Sequence, residues 1–160
     1  MDTNPSVGNL DYCGNASGPL PWADGELDEI RAVDVIEHIS YRYTISTLVE
    51  WARVLKSGGK LHVQTPESVA MWNKFIANPE SMVVPEFTDH PPLTSLAWRL
   101  LGGHDDGRGI VQEDDDWRWN AHYALFDCES LTWYLDQAGF DVIEISVNTH
   151  PNIFCDAIKR

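Results

Sequence analysis

The sequence predicts an α/β fold, in which strands and helices alternate along one chain. Residues 30–36, within "DEIRAVDVIEH", are mostly apolar, as in a strand that is buried on both faces. In "TISTLVEWARVL", apolar residues recur at the three- and four-residue spacing of an amphipathic helix: Ile45, Leu48, Val49, Ala52 and Leu55. Gly58 and Gly59 then end that helix, and residues 60–66 ("KLHVQTP") read as a second buried strand. Strand, helix, glycine turn and strand form a βαβ unit, which predicts a parallel sheet covered by helices.

The middle of the chain predicts a helical and loop insertion over residues 67–126. Residues 67–78 and 93–101 have apolar side chains at helical spacing, and a proline-rich segment separates them. Residues 102–123 are too polar and glycine-rich for a core element. Long loops inside compact domains are often functional, so we expect this insertion to lie over the active-site face.

The last part of the chain predicts a helix and two strands. Asp127 is a suitable N-cap for a helix over residues 128–138, which Gly139 ends. Residues 140–147 and 153–160 read as strands. The short loop between them predicts an antiparallel hairpin at one edge of the sheet.

The charge of the chain excludes some classes of partner. Its 160 residues carry a formal net charge of −14, from 25 acidic and 11 basic side chains. Such a surface repels phosphate backbones, so we expect neither nucleic acid nor an anionic membrane as a partner. No apolar run approaches the roughly 20 residues that cross a bilayer, and the N-terminus lacks the pattern of a secretion signal. We therefore expect an acidic cytoplasmic protein.

Four segments resemble, in order, motifs of the class I (Rossmann-like) S-adenosylmethionine-dependent methyltransferases. They are "PLPWADGELDEIRAVDVIEHI", "LVEWARVLKSGGKLHVQTP", "NAHYALFD" and "FDCESLTWYLDQAGFDVIEI". The resemblance implies that residues 1–160 form one methyltransferase-like domain of three layers, with a mostly parallel sheet and an antiparallel C-terminal hairpin. It also implies S-adenosylmethionine as the cofactor, and transfer of its methyl group to an unidentified small-molecule, sugar or other acceptor.

The resemblance also predicts a sheet that is truncated at the N-terminus. The family usually opens with a strand and a glycine-rich G-x-G turn, followed by a helix and a second strand that ends in an acidic residue. Here "MDTNPS" resembles the end of that second strand. We therefore expect the chain to retain the ribose and adenine positions without the turn that seats the methionine half of the cofactor.

By the same resemblance, five residues are expected to bind the cofactor: Asp2, Asn15, Ala16, Val33 and Asp34. Asp2 would bind the ribose hydroxyls, and Asn15 with Ala16 would flank the adenine. Val33 and Asp34 lie at the carboxyl end of a predicted strand, where ligands gather in parallel sheets. Two alternatives stay open: Asn15 as a turn residue that bonds its own backbone, and Asp2 as an unconstrained N-terminal side chain.

His38 and His122 are the candidate catalytic residues. Methyl transfer from a sulfonium depends mainly on alignment of the reacting atoms. A base is needed only when the acceptor is a poorly acidic hydroxyl or a protonated amine, and an imidazole could serve as that base. The alternative for His38 is that it and Glu37 merely open the turn after the strand.

Two hypotheses from other classes remain. The chain could be a catalytically inactive protein of methyltransferase fold that binds a protein or forms a homodimer, since an exposed sheet edge invites pairing with another chain. It could also be a metal-dependent hydrolase built on acidic and histidine residues: His90, His104, Asp105, Asp106, Asp114–Asp116 and His122. Their spacing matches no established metal motif, so no metal site is predicted.

Overall fold

The computed structural model describes Tyr12 and residues 14–102 and 121–160. Its strands are β1 (Leu27–Val33), β2 (Leu55–Pro66), β3 (Phe140–Val147) and β4 (Asn152–Lys159). Its α-helices are α1 (Thr44–Val54), α2 (Ser68–Ala77), α3 (Pro92–Leu101) and α4 (Cys128–Gln137). Short 3-10 helices lie at Ile36–His38, Pro79–Met82 and Pro85–Phe87. The α/β fold that the sequence predicts is therefore confirmed.

The four described strands form one mixed sheet in the order β1-β2-β4-β3. β1 and β2 are parallel neighbours connected by α1, and Ala32 pairs with Val63. β4 pairs antiparallel with both β2 and β3. The predicted βαβ unit and C-terminal hairpin are thus confirmed, and the described sheet is partly parallel and partly antiparallel. β1 lies at one edge of it, and the homodimer through that edge remains a prediction.

The predicted glycine turn lies inside the residues of β2. α1 ends at Val54, and Leu55 already pairs with Leu27. The next pair joins Glu29 to Lys60, so residues 56–59 protrude from the ladder. Gly58 has a φ of 73°, a conformation that side-chain-bearing residues rarely adopt. The helix therefore stops before the glycines, which make the tight excursion that follows it.

One face of the sheet carries the main core. Ala32, Val63 and Cys155 pack there with residues of α1 and α4. The opposite face carries polar side chains that are partly or fully exposed: Arg31, His62, Gln64 and Asp156. The sequence prediction of strands buried on both faces was wrong for the described residues, and Val33 is 55% exposed. The polar residues that alternate in "KLHVQTP" explain this, since one face of that strand suits solvent.

A second, smaller core joins the helices of the insertion. Met71 of α2 and Leu96 and Leu100 of α3 are buried together with Met82. The position of residues 67–126 over the active-site face remains a prediction. None of the helices in the described part of the chain combines the length and the apolar character that a membrane crossing requires.

Candidate functional site

The carboxyl ends of the parallel strands β1 and β2 lie side by side and are joined by polar contacts. Asp34 follows β1 with a φ of 51°, and its backbone N–H donates to the Gln64 carbonyl at 3.0 Å. The Gln64 side-chain amide donates to both carboxylate oxygens of Asp34, at 3.3 and 3.4 Å. Ligands of α/β proteins bind at this end of parallel strands. Asp34 is exposed, and its role in binding the cofactor remains a prediction.

Glu37 is a buried carboxyl group three residues further along. It is only 2% exposed, and its Oε2 accepts a hydrogen bond from the Thr65 hydroxyl at 3.0 Å. Burial, with a smaller effect from the charge of Asp34, raises the pKa of Glu37 to about 7. Glu37 can therefore hold or release a proton near neutral pH. In the sequence, the only indication of a role for Glu37 was its position directly before His38. The sequence analysis interpreted that position only as the start of a turn.

The structure brings His38 and His122 together although most of the insertion over residues 67–126 lies between them in sequence. Their ring centroids lie 4.9 Å apart in an edge-to-face arrangement. His38 Nδ1 lies 3.1 Å from the Ala121 carbonyl oxygen. Because a carbonyl oxygen only accepts, Nδ1 carries the hydrogen, and Nε2 keeps a lone pair. The role of these histidines as bases remains a prediction, but the sequence reasoning selected two side chains that share one site.

Backbone hydrogen bonds hold the segment of His122 against the turn after β1. The His122 N–H donates to the Leu101 carbonyl at the end of α3, at 2.9 Å. The N–H groups of Tyr123 and Ala124 both donate to the Glu37 carbonyl, at 2.7 and 3.2 Å. One ligand atom from each of Glu37, His38 and His122 lies within 4.8 Å of the others. We call these three residues the Glu-His-His cluster.

The structure describes some of the residues that are expected to bind the cofactor and shows the contacts they make. Asp2 lies outside the described residues. Asn15 Oδ1 accepts from the N–H and the hydroxyl of Ser17, at 2.9 and 2.8 Å, which is the turn interaction given above as the alternative. The side-chain nitrogen of Asn15 can still donate, and Asn15 is exposed. The Ala16 carbonyl accepts from Trp51 Nε1 at 3.0 Å, which anchors this segment to α1.

An ion-paired anchor that the sequence analysis did not find fixes the segment between Ala16 and β1. Glu50 accepts from the Leu20 N–H at 2.7 Å. Arg53 donates to Glu50 and to the carbonyls of Leu20 and Trp22. It also donates to Asp24 at 2.6 Å. One arginine of α1 thus satisfies several backbone and carboxylate oxygens of a segment without regular structure.

We predict that this anchor makes stability depend on pH. The hydrogen bond from Arg53 lowers the pKa of Glu50 from 4.5 to about 2. Between these values the unfolded chain binds more protons, so the stabilisation is complete above pH 4.5 and is lost as the pH falls toward 2. After discounting for solvent screening, we expect Glu50→Gln to lower the free energy of unfolding by about 1–2 kcal/mol at pH 7.

Chemical denaturation between pH 3 and 7 measures this effect. The Glu50→Gln variant should lose less stability than the wild type as the solution is acidified. Glu80→Gln, at an exposed glutamate, is the matched control and should follow the wild type within about 0.5 kcal/mol. An acid dependence as steep in Glu50→Gln as in the wild type would contradict the prediction.

Comparisons with known proteins agree with the fold described above. Residues 3–63 match the family model described as a methyltransferase domain. An S-adenosylmethionine-dependent methyltransferase from Methanosarcina mazei is similar in structure, with 16% identity and a TM-score of 0.61 over 92% of this chain and 66% of that one. One from Thermotoga maritima, described as a possible histamine N-methyltransferase, shows 18% identity and a TM-score of 0.54 over 93% and 63%. No curated protein matches the chain in sequence.

The chain therefore has the Rossmann-like fold of the S-adenosylmethionine-dependent methyltransferases. Together with the match over residues 3–63, this confirms the resemblance that the four motifs predict. The chain spans slightly less than two thirds of the length of the two solved structures, at 66% and 63%.

The described residues fit part of S-adenosylmethionine. Asn15 offers an exposed amide donor suited to an adenine edge, and Val33 and Asp34 lie at the open strand end. Within the described ranges, no strand is followed by a G-x-G turn. Among the described residues, Asn15, Val33 and Asp34 thus have positions and chemistry compatible with the cofactor, and their role in binding it remains a prediction.

Proposed function

We propose that this chain binds S-adenosylmethionine and acts in the transfer of its methyl group to an acceptor. The observation that best supports this is that His38, in the segment that follows the carboxyl end of β1, lies beside His122, with ring centroids 4.9 Å apart. The match of residues 3–63 to a methyltransferase domain adds independent support. The proposal includes the cytoplasmic location that the sequence analysis predicts.

In this proposal the cofactor supplies an electrophilic methyl group on a sulfonium. Asn15 and Ala16 border the adenine, Asp2 binds the ribose, and Val33 with Asp34 borders the cofactor at the end of β1. Two of these assignments have a physical basis in the described residues. The Asn15 amide nitrogen is available as a donor, and the segment that holds it is fixed to α1 through Trp51.

The two histidines are proposed to take the proton that an acceptor hydroxyl or amine must lose. The hydrogen bond of His38 Nδ1 to the Ala121 carbonyl leaves Nε2 basic. The pKa of Glu37, raised to about 7, places a carboxyl group that titrates near neutral pH beside His38, so this carboxyl group can hold the proton in the site. Neither the two histidines nor the fold identifies the class of acceptor, since one fold serves many substrates.

Isothermal titration calorimetry of the full chain with S-adenosylmethionine and S-adenosylhomocysteine tests this proposal. We expect saturable binding, and we expect Asn15→Ala to weaken it about three- to tenfold, the value of one hydrogen bond. Asn73→Ala, at an exposed position of α2, is the control and should bind like the wild type. Absence of heat and of any thermal shift at millimolar ligand would contradict the proposal for this chain.

A further inference from the structure

We infer that Glu37, His38 and His122, the Glu-His-His cluster, form a binding site for one divalent transition-metal ion of the zinc type. This inference does not depend on methyl transfer. It rests on side chains that the sequence had placed in no metal motif and that the fold brings together. The atoms they offer, one carboxylate oxygen and two imidazole nitrogens, are ligands that such ions prefer.

The distances are compatible with an ion-free form of such a site. The three ligand atoms lie within 4.8 Å of one another. Around a tetrahedral zinc ion, with bonds of about 2.0–2.2 Å, ligand atoms lie roughly 3.4 Å apart. Small side-chain rotations would therefore close the cluster around an ion. Since the backbones of Glu37 and the His122 segment are already joined by two hydrogen bonds, no rearrangement of the fold is needed.

Each of two ligands is already held by a partner that metal sites commonly have. Histidine ligands of metals usually donate their second ring N–H to a carbonyl or carboxylate, which directs the other nitrogen to the ion. His38 does this through Nδ1 and the Ala121 carbonyl. Ligating carboxylates are themselves hydrogen-bonded, and Glu37 accepts from the buried hydroxyl of Thr65. The Thr65 hydrogen bond leaves further lone pairs on the carboxylate.

The surroundings favour a cation and leave room for a substrate. The chain carries a net charge of −14, which attracts cations to its surface. Both imidazoles are only partly buried. Zinc sites with three protein ligands keep a fourth position for water or substrate. If the proposed methyl transfer holds, a hydroxyl acceptor bound at that position would ionise more easily. In the metal-bound form the ion replaces the histidines as the means of removing the proton, because their lone pairs are used in coordination, and the cluster favours an oxygen acceptor.

Zinc titration of chelator-treated full chain tests the inference. We expect one Zn²⁺ per chain, bound at least about a hundredfold more weakly by His122→Gln, which lacks one ligand. Thr65→Val keeps all three ligands and removes only the partner of Glu37, so it should weaken binding about tenfold or more. His150→Gln, at an exposed histidine in the β3–β4 turn, is the matched control and should bind like the wild type.

An acidic surface could bind zinc loosely elsewhere, and two outcomes separate that case. X-ray absorption at the zinc edge of the wild-type complex should show two imidazole ligands. Substitution with Co²⁺ should give the visible absorption of a site with few ligands. Wild-type protein without stoichiometric zinc, a spectrum with oxygen ligands alone, or unchanged affinity in His122→Gln would each overturn the inference. The wild-type measurements decide even if His122→Gln fails to fold.

Discussion

Replacing Phe126 with alanine is expected to lower the free energy of unfolding by about 3–5 kcal/mol. Phe126 is 1% exposed and packs in the main core with residues of α1 and α4. Its ring meets Tyr134 of α4 edge to face, with centroids 5.9 Å apart. The loss of this ring removes buried apolar area and leaves a cavity that the surrounding helices and sheet can fill only in part.

The backbone of Phe126, which alanine would retain, connects two parts of the fold. Its carbonyl accepts from the Ser68 N–H at 2.8 Å, and it forms an isolated parallel bridge with Glu67 at the end of β2. Phe126 thus joins the start of α2 to the start of α4. It also lies four residues after His122, so its packing helps to hold that histidine beside His38.

Denaturation by urea, followed by circular dichroism, measures the effect of Phe126→Ala. Leu125→Ala is the matched control, because Leu125 is the preceding residue and is 51% exposed. We expect the control to change stability by less than about 1 kcal/mol, as exposed substitutions usually do. A loss below about 1.5 kcal/mol in Phe126→Ala would mean that the core closes over the gap or that Phe126 does not anchor this segment.

The parts of the fold that the sequence predicted are those that local patterns determine. The spacing of Leu48 and Ala52 defines α1, and the residues 140–147 and 153–160 define the hairpin without knowledge of the rest of the chain. These signals report which side of an element is apolar. They do not show whether another element covers the second face of a strand. For this reason Val33 was expected to be buried, whereas the structure leaves it exposed.

The candidate site was predictable in its histidines but not in its assembly. His38 follows a strand and could be selected by position alone. The distance between His38 and His122 depends on where α3 ends, since the His122 N–H bonds the Leu101 carbonyl, and no periodicity determines that path. The burial of Glu37 also depends on a contact that is distant in sequence, because Glu37 packs against β2, where it accepts a hydrogen bond from Thr65. A metal site formed in this way has no sequence spacing to recognise.

The Arg53 anchor shows the same limit for a single side chain. In sequence, Arg53 is an ordinary basic residue in the last turn of α1, where it favours the helix dipole. Its partners Leu20, Trp22 and Asp24 lie far away along the chain in a segment rich in proline and glycine. No sequence pattern links Arg53 to Leu20 and Trp22. Arg53 binds the backbone carbonyls of these residues, and any residue type would supply the same carbonyl.

Arg53→Met is expected to lower the free energy of unfolding, and by clearly more than Arg31→Met does. The guanidinium is 31% exposed, so its loss leaves Glu50 and the carbonyls of Leu20 and Trp22 partly shielded from water without their donor. An unsatisfied group of this kind costs about 1–3 kcal/mol. The methionine side chain retains most of the apolar stem of arginine, so the loss reports the polar contacts rather than the packing.

Two comparisons make the Arg53 prediction specific. Arg53→Lys keeps the charge but cannot present several N–H groups in a fixed plane, so it should recover less than half of the loss. Arg31→Met removes an exposed arginine, 71% accessible, whose ion pair is with Glu29, and should leave the free energy of unfolding close to that of the wild type. Equal losses in Arg53→Met and Arg31→Met would show that charge, and not the fixed geometry of the anchor, carries the effect. The anchored segment directly follows the proposed adenine contact at Asn15 and Ala16. Arg53→Met should therefore also weaken S-adenosylhomocysteine binding in calorimetry under conditions where the variant is fully folded, whereas Arg31→Met should not.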